Sequence, residues 1–272
     1  MNHADLLEEP CDEATTVLCL NRPQRRNALT IELMENLCCR LDELAADHRC
    51  RALILRGAGP VVGAGLDLHQ TAETQVAEQA VEVLARMFQK LVHSPLVTIA
   101  AAHGGAYAGG AGLMAACDLA VAASDLHVGF PEVRRGLVAA VVAAVLRDKL
   151  QDGALRELLL LAEPVNASRA LSLGLVQRVV PREELLPESK RIAATILKGA
   201  PDAIRQTKHW LREIRSITPS HVMTRALKLH HRARVSEEAA EGIAAWRERR
   251  QPSWSVKDEG QRTKDEGDSG AT

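Results

Sequence analysis

Aromatic side chains are almost absent from this 272-residue chain, which contains three Trp, two Phe and one Tyr. Hydrophobic residues nevertheless make up 46% of the sequence, and Ala, Val and Leu dominate them. This fraction is ordinary for a globular protein with a substantial core. Small side chains allow helices and strands to approach closely, so the composition favours layered packing over a core centred on aromatic rings.

The chain also lacks an excess of charge and a long apolar segment. Its 34 Lys and Arg nearly balance its 35 Asp and Glu, which argues against a general nucleic-acid or anionic-membrane binder. No stretch approaches the roughly 18 uninterrupted apolar residues of a membrane span. The first ten residues, MNHADLLEEP, are acidic and do not resemble a signal or transit peptide. We therefore expect a cytoplasmic protein without nucleic-acid or membrane partners.

The six cysteines form no CxxC pair and stand near no histidine at zinc-finger spacing (Cys11, Cys19, Cys38, Cys39, Cys50 and Cys117). This distribution is typical of free thiols in a reducing compartment. We expect neither disulfides nor a bound metal.

Strands and helices alternate in the first half of the sequence. The β-branched and apolar segments at residues 15–20, 51–56 and 96–101 predict strands, and shorter strands are expected near residues 119–122 and 127–130. Thr30 is a plausible N-cap for a helix reaching residue 46, and residues 78–92 have the spacing of an amphipathic helix. This alternation predicts the α/β class.

The second half predicts helices alone, at residues 183–198, 201–214 and 220–250. Pro201 suits the first turn of a helix, and Gly199 suits the end of the preceding one. We expect a core over residues 1–195 and a helical region over residues 196–254. Residues 255–272 are polar, which predicts a disordered tail.

A glycine-rich loop, GAGPVVGAGLD, follows the strand at residues 51–56. A dinucleotide-binding fingerprint would open directly into a helix whose N-terminus meets the pyrophosphate. Here Pro60 and a second glycine pair interrupt the motif, and more loop follows before the next helix. The sequence therefore argues against nucleotide binding at this loop.

The second glycine-rich segment, HGGAYAGGAGLMAACD, starts at His103 and ends at Asp118. Small residues leading directly into a helix can present unpaired backbone N–H groups to an anion, and the helix dipole helps. Close packing of a helix on a sheet requires the same residues. The segment alone leaves both interpretations open.

Five segments in this order resemble the crotonase, or enoyl-CoA hydratase/isomerase, superfamily. They are NRPQRRNAL from Asn21, the strand and loop ending in AGLD at Asp67, HGGAYAGGAGLMAACD, FPEVRRGL from Phe130, and EPVNASRALSLGLVQRVVP from Glu163. The resemblance implies a ClpP-like spiral of ββα units with a helical C-terminal region that forms trimers, often paired into hexamers. It also implies an acyl-CoA substrate and no separate cofactor, since coenzyme A is part of the substrate.

The superfamily holds a thioester oxygen with two backbone N–H groups, and matching the motifs assigns them to Leu66 and Gly109. Two such donors stabilise the enolate that forms when the carbon next to the thioester is deprotonated. By the same resemblance, Ala64, Asp67, Leu68 and His69 border the coenzyme A pocket. Arg25 and Arg26 are candidate contacts for its phosphates or adenine, although arginines in a turn are equally often only solvated.

Hydratases of the superfamily typically use two glutamates, and this chain retains one of them. Glu132 matches the first, and its neighbours Phe130 and Pro131 predict the partly apolar setting that raises a carboxyl pKa. The second should stand three residues after Gly109, where this chain has Gly112. Asp67 and Asp118 do not replace it, because the superfamily has structural acids at both positions.

Three hypotheses follow from the missing glutamate. The one that the sequence favours is a hydratase or dehydratase, which would use Glu132 at the α-carbon and another group, or the substrate itself, for water. The polar candidates near the site are Tyr107, His93, His103 and His127, and a carboxylated substrate could meet Arg134 or Arg135. A Δ3-Δ2-enoyl-CoA isomerase needs only one carboxylate, so a dry apolar wall around Glu132 would favour it. A degenerate binding paralogue is the third, and the retained Glu132 argues against it.

Overall fold

The computed structural model describes residues 5–70 and 73–255. Its strands are β1 (Leu6–Pro10), β2 (Thr15–Leu20), β3 (Ala52–Gly57), β4 (Val97–Ala102), β5 (Gly105–Tyr107), β6 (Leu119–Ala123), β7 (His127–Gly129), β8 (Val165–Asn166) and β9 (Arg178–Val180). Six of them form one sheet in the order β1-β2-β3-β4-β6-β9, and β5, β7 and β8 form a second sheet. The α/β class and the predicted strands are confirmed.

The larger sheet is parallel apart from β1, which pairs antiparallel with β2. The sequence did not predict β1, since its residues LLEEP show no alternation. Its position depends on contacts distant in sequence. The carboxylates of Glu8 and Glu9 form ion pairs with Arg40 and Arg56.

The helices are α1 (Ile31–Ala46), α2 (Thr74–His93), α3 (Gly109–Ala116), α4 (Ala140–Leu146), α5 (Asp152–Arg156), α6 (Ala167–Ser172), α7 (Leu185–Leu197), α8 (Pro201–Glu213), α9 (Pro219–Arg234) and α10 (Glu237–Glu248). The Thr30 hydroxyl accepts a hydrogen bond from the Leu33 N–H at 3.2 Å, so the predicted N-cap of α1 is confirmed. None of the described helices is both long and apolar enough to cross a membrane.

The core consists largely of aliphatic side chains from the sheet and from the inner faces of α1 and α2, which pack against each other. Phe88 and Phe130 are the largest side chains that are almost completely buried. Helix α3 is buried along its whole length, although it is only eight residues long. Its glycine and alanine residues allow this close packing, as the composition predicts.

The chain divides into two compact units, with the boundary between Ala194 and Thr195. In the second unit, the prediction of one helix over residues 220–250 is wrong. Helix α9 ends at Arg234, and the Ser236 hydroxyl caps α10 by accepting the Ala239 N–H at 3.2 Å. The role of this unit in assembly stays a prediction, and all but the first residue of the predicted tail lies outside the described residues.

Candidate active site

Leu66 lies at the end of the first glycine-rich loop, where a single β-bridge fixes its backbone. The Leu29 N–H donates to the Gly65 carbonyl at 2.8 Å, and the Asp67 N–H donates to the Leu29 carbonyl at 2.9 Å. In an extended chain, successive N–H groups point to opposite sides. The Leu66 N–H therefore points away from Leu29, and it donates to no acceptor in the described part of the chain.

Gly109 is the first residue of α3, so its N–H has no acceptor within the helix. The preceding residue, Ala108, has φ 48° and ψ −122°, a conformation that L-amino acids rarely adopt. Hydrogen bonds hold Ala108 there, because its N–H donates to Gly129 and its carbonyl accepts from Gly112, both at 2.9 Å. This strained turn precedes Gly109, where the positive end of the α3 dipole lies.

The two glycine-rich loops interlock, which brings the predicted donors together. The Tyr107 N–H donates to the Gly63 carbonyl at 2.9 Å. A Cβ atom added to Gly65 would lie 3.3 Å from the Gly109 nitrogen. A Cβ atom added to Gly110 would lie 2.4 Å from the Gly63 carbonyl oxygen. Only glycine permits this approach, so the glycines serve loop-to-loop packing as well as donor placement.

The smaller sheet carries Glu132 to the same edge as Gly109. Strands β5 and β7 are parallel, and Tyr107 pairs with Gly129 at their ends. Gly109 follows β5 by two residues, and Glu132 follows β7 by three at the start of a 3-10 helix over Glu132–Arg135. The predicted donor and the predicted acid–base residue therefore emerge side by side.

Glu132 is half-buried, and its Oε2 atom is buried without a hydrogen-bond partner among the described residues. Burial raises the pKa of this carboxyl, while its own backbone N–H and the Arg135 charge act in the opposite direction. Buried polar atoms are normally paired, so an unpaired carboxylate oxygen is costly to the fold. It is available to accept a proton.

The space beside Gly112 is occupied by the side chain of Phe88. A Cβ atom added to Gly112 would lie 2.5 Å from Cζ and 2.8 Å from Cε2 of Phe88. The ring belongs to α2 and is only 2% exposed. An acid at position 112 therefore has no room unless Phe88 moves.

The two aspartates near the site have structural partners. Asp67 accepts from Arg22 Nη1 at 3.2 Å and from the His69 N–H at 3.1 Å. Burial alone would raise the pKa of Asp67, but these donors outweigh it and the pKa is lowered. Asp118 binds the backbone N–H and the hydroxyl of Thr98 at 2.8 and 2.9 Å. Both carboxylates hold the fold together.

The other polar candidates are dispersed. His103 is buried with Nε2 2.9 Å from the Gly59 carbonyl, and burial lowers its pKa. His93 and His127 are exposed and contact the backbone carbonyls of Gln89 and Asp125. The Tyr107 ring lies where side chains at Gly105 and Gly129 would stand.

Most of the residues predicted to contact coenzyme A are exposed. The Ala64 N–H donates to the Arg26 carbonyl at 3.0 Å, which joins the arginine turn to the first loop. Arg25, Arg26, Leu68 and His69 are exposed. The structure thus joins Ala64 directly to the turn that carries Arg25 and Arg26.

Two residues that organise this surface were not identified from the sequence. Asn27 is fully buried, and its Nδ2 donates to the carbonyls of Ala58 and Val61 at 2.9 and 2.8 Å. Arg22 donates to the Ala28 carbonyl at 2.6 Å as well as to Asp67. A polar residue in a turn gives no sequence signal that it is buried.

No group of three or more His, Cys, Asp or Glu residues arranged to hold a metal ion occurs within residues 5–70 and 73–255. The six cysteines are free thiols in this structure.

Comparisons with known proteins agree with the predicted superfamily. The sequence model of a family described as enoyl-CoA hydratase/isomerase matches residues 11–257. A protein of Thermus thermophilus with the provisional name enoyl-CoA hydratase is 36% identical over 241 residues, which cover 87% of this chain and 95% of that protein.

Solved structures of enoyl-CoA hydratases share the fold. The protein from Mycobacterium smegmatis has a TM-score of 0.87 at 29% identity, covering 93% of this chain and 99% of that one. The protein from Bacillus anthracis has a TM-score of 0.88 at 25% identity, covering 93% and 100%. Together with the family match, these similarities show that the chain belongs to the enoyl-CoA hydratase/isomerase family, the crotonase superfamily.

Proposed function

We propose that this protein is an acyl-CoA enzyme that moves a double bond from C3 to C2 of an enoyl thioester, with Glu132 as its only proton carrier. The observation that supports this most is the half-buried Glu132, whose Oε2 has no partner among the described residues. Asp67 and Asp118 are committed to the fold, and Gly112 has no side chain. A single carboxylate is sufficient for this reaction.

In the proposed reaction, the thioester oxygen accepts hydrogen bonds from the Leu66 and Gly109 N–H groups. Glu132 removes a proton from C2, and the electron pair moves into the thioester to form an enolate. The same carboxyl then returns the proton to C4 while the double bond shifts to C2=C3. Each preorganised donor could contribute about 3 kcal/mol of transition-state stabilisation.

The environment of Glu132 suits both halves of this transfer. A carboxyl with an ordinary pKa is a weak base and, once protonated, loses its proton readily to water at neutral pH. Burial raises the pKa of Glu132, which makes it a better base and a longer-lived acid.

Hydration of an enoyl-CoA is the second candidate, because relatives such as the Thermus thermophilus protein have hydratase names. In that reaction Glu132 would give a proton to C2, and the hydroxyl group would add to C3. A group other than an acid at position 112 would have to activate the water.

For binding of the coenzyme A part of the substrate, we propose that Arg25 and Arg26 contact its phosphates. Ala64 and the segment Asp67–His69 would border the pantetheine channel. Assembly into trimers or hexamers through the second unit is part of the same proposal, since it follows from the superfamily.

A substrate panel separates the reactions. Wild type and Glu132→Gln would be assayed with crotonyl-CoA, 3-methylglutaconyl-CoA and a 3-enoyl-CoA, with Glu163→Gln as a matched control at an exposed glutamate. We expect wild type and the control to convert the 3-enoyl-CoA to the 2-enoyl isomer, and Glu132→Gln to lose this activity. Hydration of crotonyl-CoA without migration would support the second candidate. Turnover that survives Glu132→Gln would overturn both.

A further inference from the structure

We infer that Phe88 is the specificity-determining residue that limits this site to one carboxylate. This inference rests on the proposed function. It concerns a side chain of α2 that the sequence does not connect to the site, and it explains why Gly112 cannot simply be replaced by an acid.

Helix α2 covers the two glycines of α3 with side chains one turn apart. A Cβ atom added to Gly109 would lie 3.4 and 3.5 Å from the methyl carbons of Leu84, which is ordinary contact. Four residues further along α2, Phe88 lies against Gly112 three residues further along α3. Residues at these spacings share one helix face. Leu84 and Phe88 of α2 therefore make one continuous contact with α3, and this contact begins at the proposed oxyanion donor Gly109.

The two contacts differ in the space that they leave. At Gly112 an added Cβ would overlap the Phe88 ring at 2.5 and 2.8 Å, and the 2% exposure of Phe88 leaves the ring no free direction. Buried side chains are close-packed, so the ring cannot shift without displacing its neighbours. Residues 88 and 112 behave as a pair in which a change at one requires a change at the other.

The chemistry of the ring matters as much as its size. Hydration adds a hydroxyl group to C3 and a hydrogen to C2, and some group must hold the water and take its proton. A phenyl ring offers neither a hydrogen-bond acceptor of useful strength nor a base. Double-bond migration consumes no water, so it is the reaction that this pairing leaves to Glu132.

The test exchanges both members of the pair at once. Phe88→Ala with Gly112→Glu removes the ring and places an acid of similar volume in its space. Phe88→Ala with Gly112→Gln is the matched control, with the same shape and no ionisable group. We expect the glutamate variant to hydrate crotonyl-CoA at least about 10-fold faster than both wild type and the glutamine variant, a gain at the low end of general acid–base catalysis.

Equal hydration by the glutamate and glutamine variants would overturn the inference, as would no gain in a glutamate variant that still folds and binds an acyl-CoA. Strong hydration by wild type would also overturn it. Failure of the proposed function is read separately, from wild type and Glu132→Gln on the 3-enoyl-CoA.

A smaller pair covers the case in which the double variants do not fold. Gly112→Ala alone should lower the Tm because its Cβ meets the ring, and Phe88→Leu with Gly112→Ala should recover part of the loss. Phe88→Leu alone completes the comparison. If the loss of stability in the double variant equals the sum of the losses in the two single variants, residues 88 and 112 are not coupled, which contradicts the inference.

Discussion

The candidate site has a backbone half, the loops that place the Leu66 and Gly109 N–H groups, and a carboxylate half, the 3-10 helix that starts at Glu132. The two halves differ in how deeply they are buried. The loops that place Leu66 and Gly109 are tied to each other through Gly63, Gly65 and Gly110, all of which are buried. The 3-10 helix that starts at Glu132 is exposed beyond its first residue. Arg134 links it to the Leu161 carbonyl at 3.1 Å.

The two halves of the site need different kinds of precision. Hydrogen-bond donors stabilise a developing charge best when they are already oriented, so the loops that carry them must be rigid. An acid–base group needs the right pKa as well as the right place, and solvent exposure tunes that pKa. Mutations should therefore act on the two halves through different quantities, geometry in one and proton affinity in the other.

The largest effect should come from removing the carboxylate. We expect Glu132→Gln to lower kcat by about 10²- to 10⁴-fold, the usual contribution of general acid–base catalysis. The same variant should be more stable near neutral pH. Burial raises the pKa of Glu132 in the folded state above its unfolded-state value. Stability is therefore lost as pH rises through the folded-state pKa and the carboxyl ionises, and glutamine removes this loss because it carries no charge.

Thermal unfolding at two pH values checks this sign. The gain comes from removing a buried negative charge, because glutamine keeps a polar atom in the same place, and it should be present near pH 7 and absent near pH 4. A variant that is less stable than wild type at both pH values would contradict the idea that Glu132 is retained for catalysis at a cost to the fold.

In the backbone half, a substitution at Gly110 should disturb the two loops and lower activity. Gly110→Ala places a Cβ 2.4 Å from the Gly63 oxygen, so the two loops must separate. We expect a loss of about 3 kcal/mol in transition-state stabilisation, or about 100-fold in kcat, because one donor loses its position. Helix α5 supplies the control, since a Cβ at Gly153 meets nothing within 4 Å.

Activity of both alanine variants would be measured with the 3-enoyl-CoA at saturating concentration, alongside their Tm. Gly153→Ala should leave kcat unchanged. If Gly110→Ala retained wild-type kcat, the close approach of the loops would not be what orients the donors.

A substitution at Arg135, which lies near Glu132 in sequence, should have the smallest effect. The Arg135 charge lowers the pKa of Glu132, so Arg135→Gln should raise it. In the proposed reaction Glu132 acts as a base, so the acid limb of kcat/KM should move to higher pH, with little change in kcat at pH 8. Arg135 is exposed, so added salt should shrink the difference.

Arg134→Gln is the matched control, because the neighbouring guanidinium donates to Leu161 and is not a cause of the Glu132 shift. A shift of the acid limb in both variants, or in neither, would show that the site does not sense Arg135 specifically.

Local signals in the sequence predicted most elements of the first unit. The β-branched run at Thr15–Leu20 and the N-cap at Thr30 depend on neighbouring residues alone. Strand β1 was missed because it is an acidic edge strand that long-range ion pairs hold in place. The end of α9 was missed although Ser236 and its following glutamates form a capping sequence.

The site divides in the same way. Leu66, Gly109 and Glu132 were assigned from motifs, and the structure brings Gly109 beside both of the others. Phe88 has only the pattern of a core residue on an amphipathic helix, so its contact with Gly112 requires the register of α2 against α3. Packing between helices far apart in sequence leaves no local trace.

Because the β-bridge to Leu29 orients the backbone N–H of Leu66, this donor does not depend on the side chain at position 66. Every amino acid except proline carries that N–H, so almost any codon at position 66 preserves the donor. In the proposed mechanism, side chains near the thioester can therefore change, and with them the reaction, while the donor at position 66 is kept.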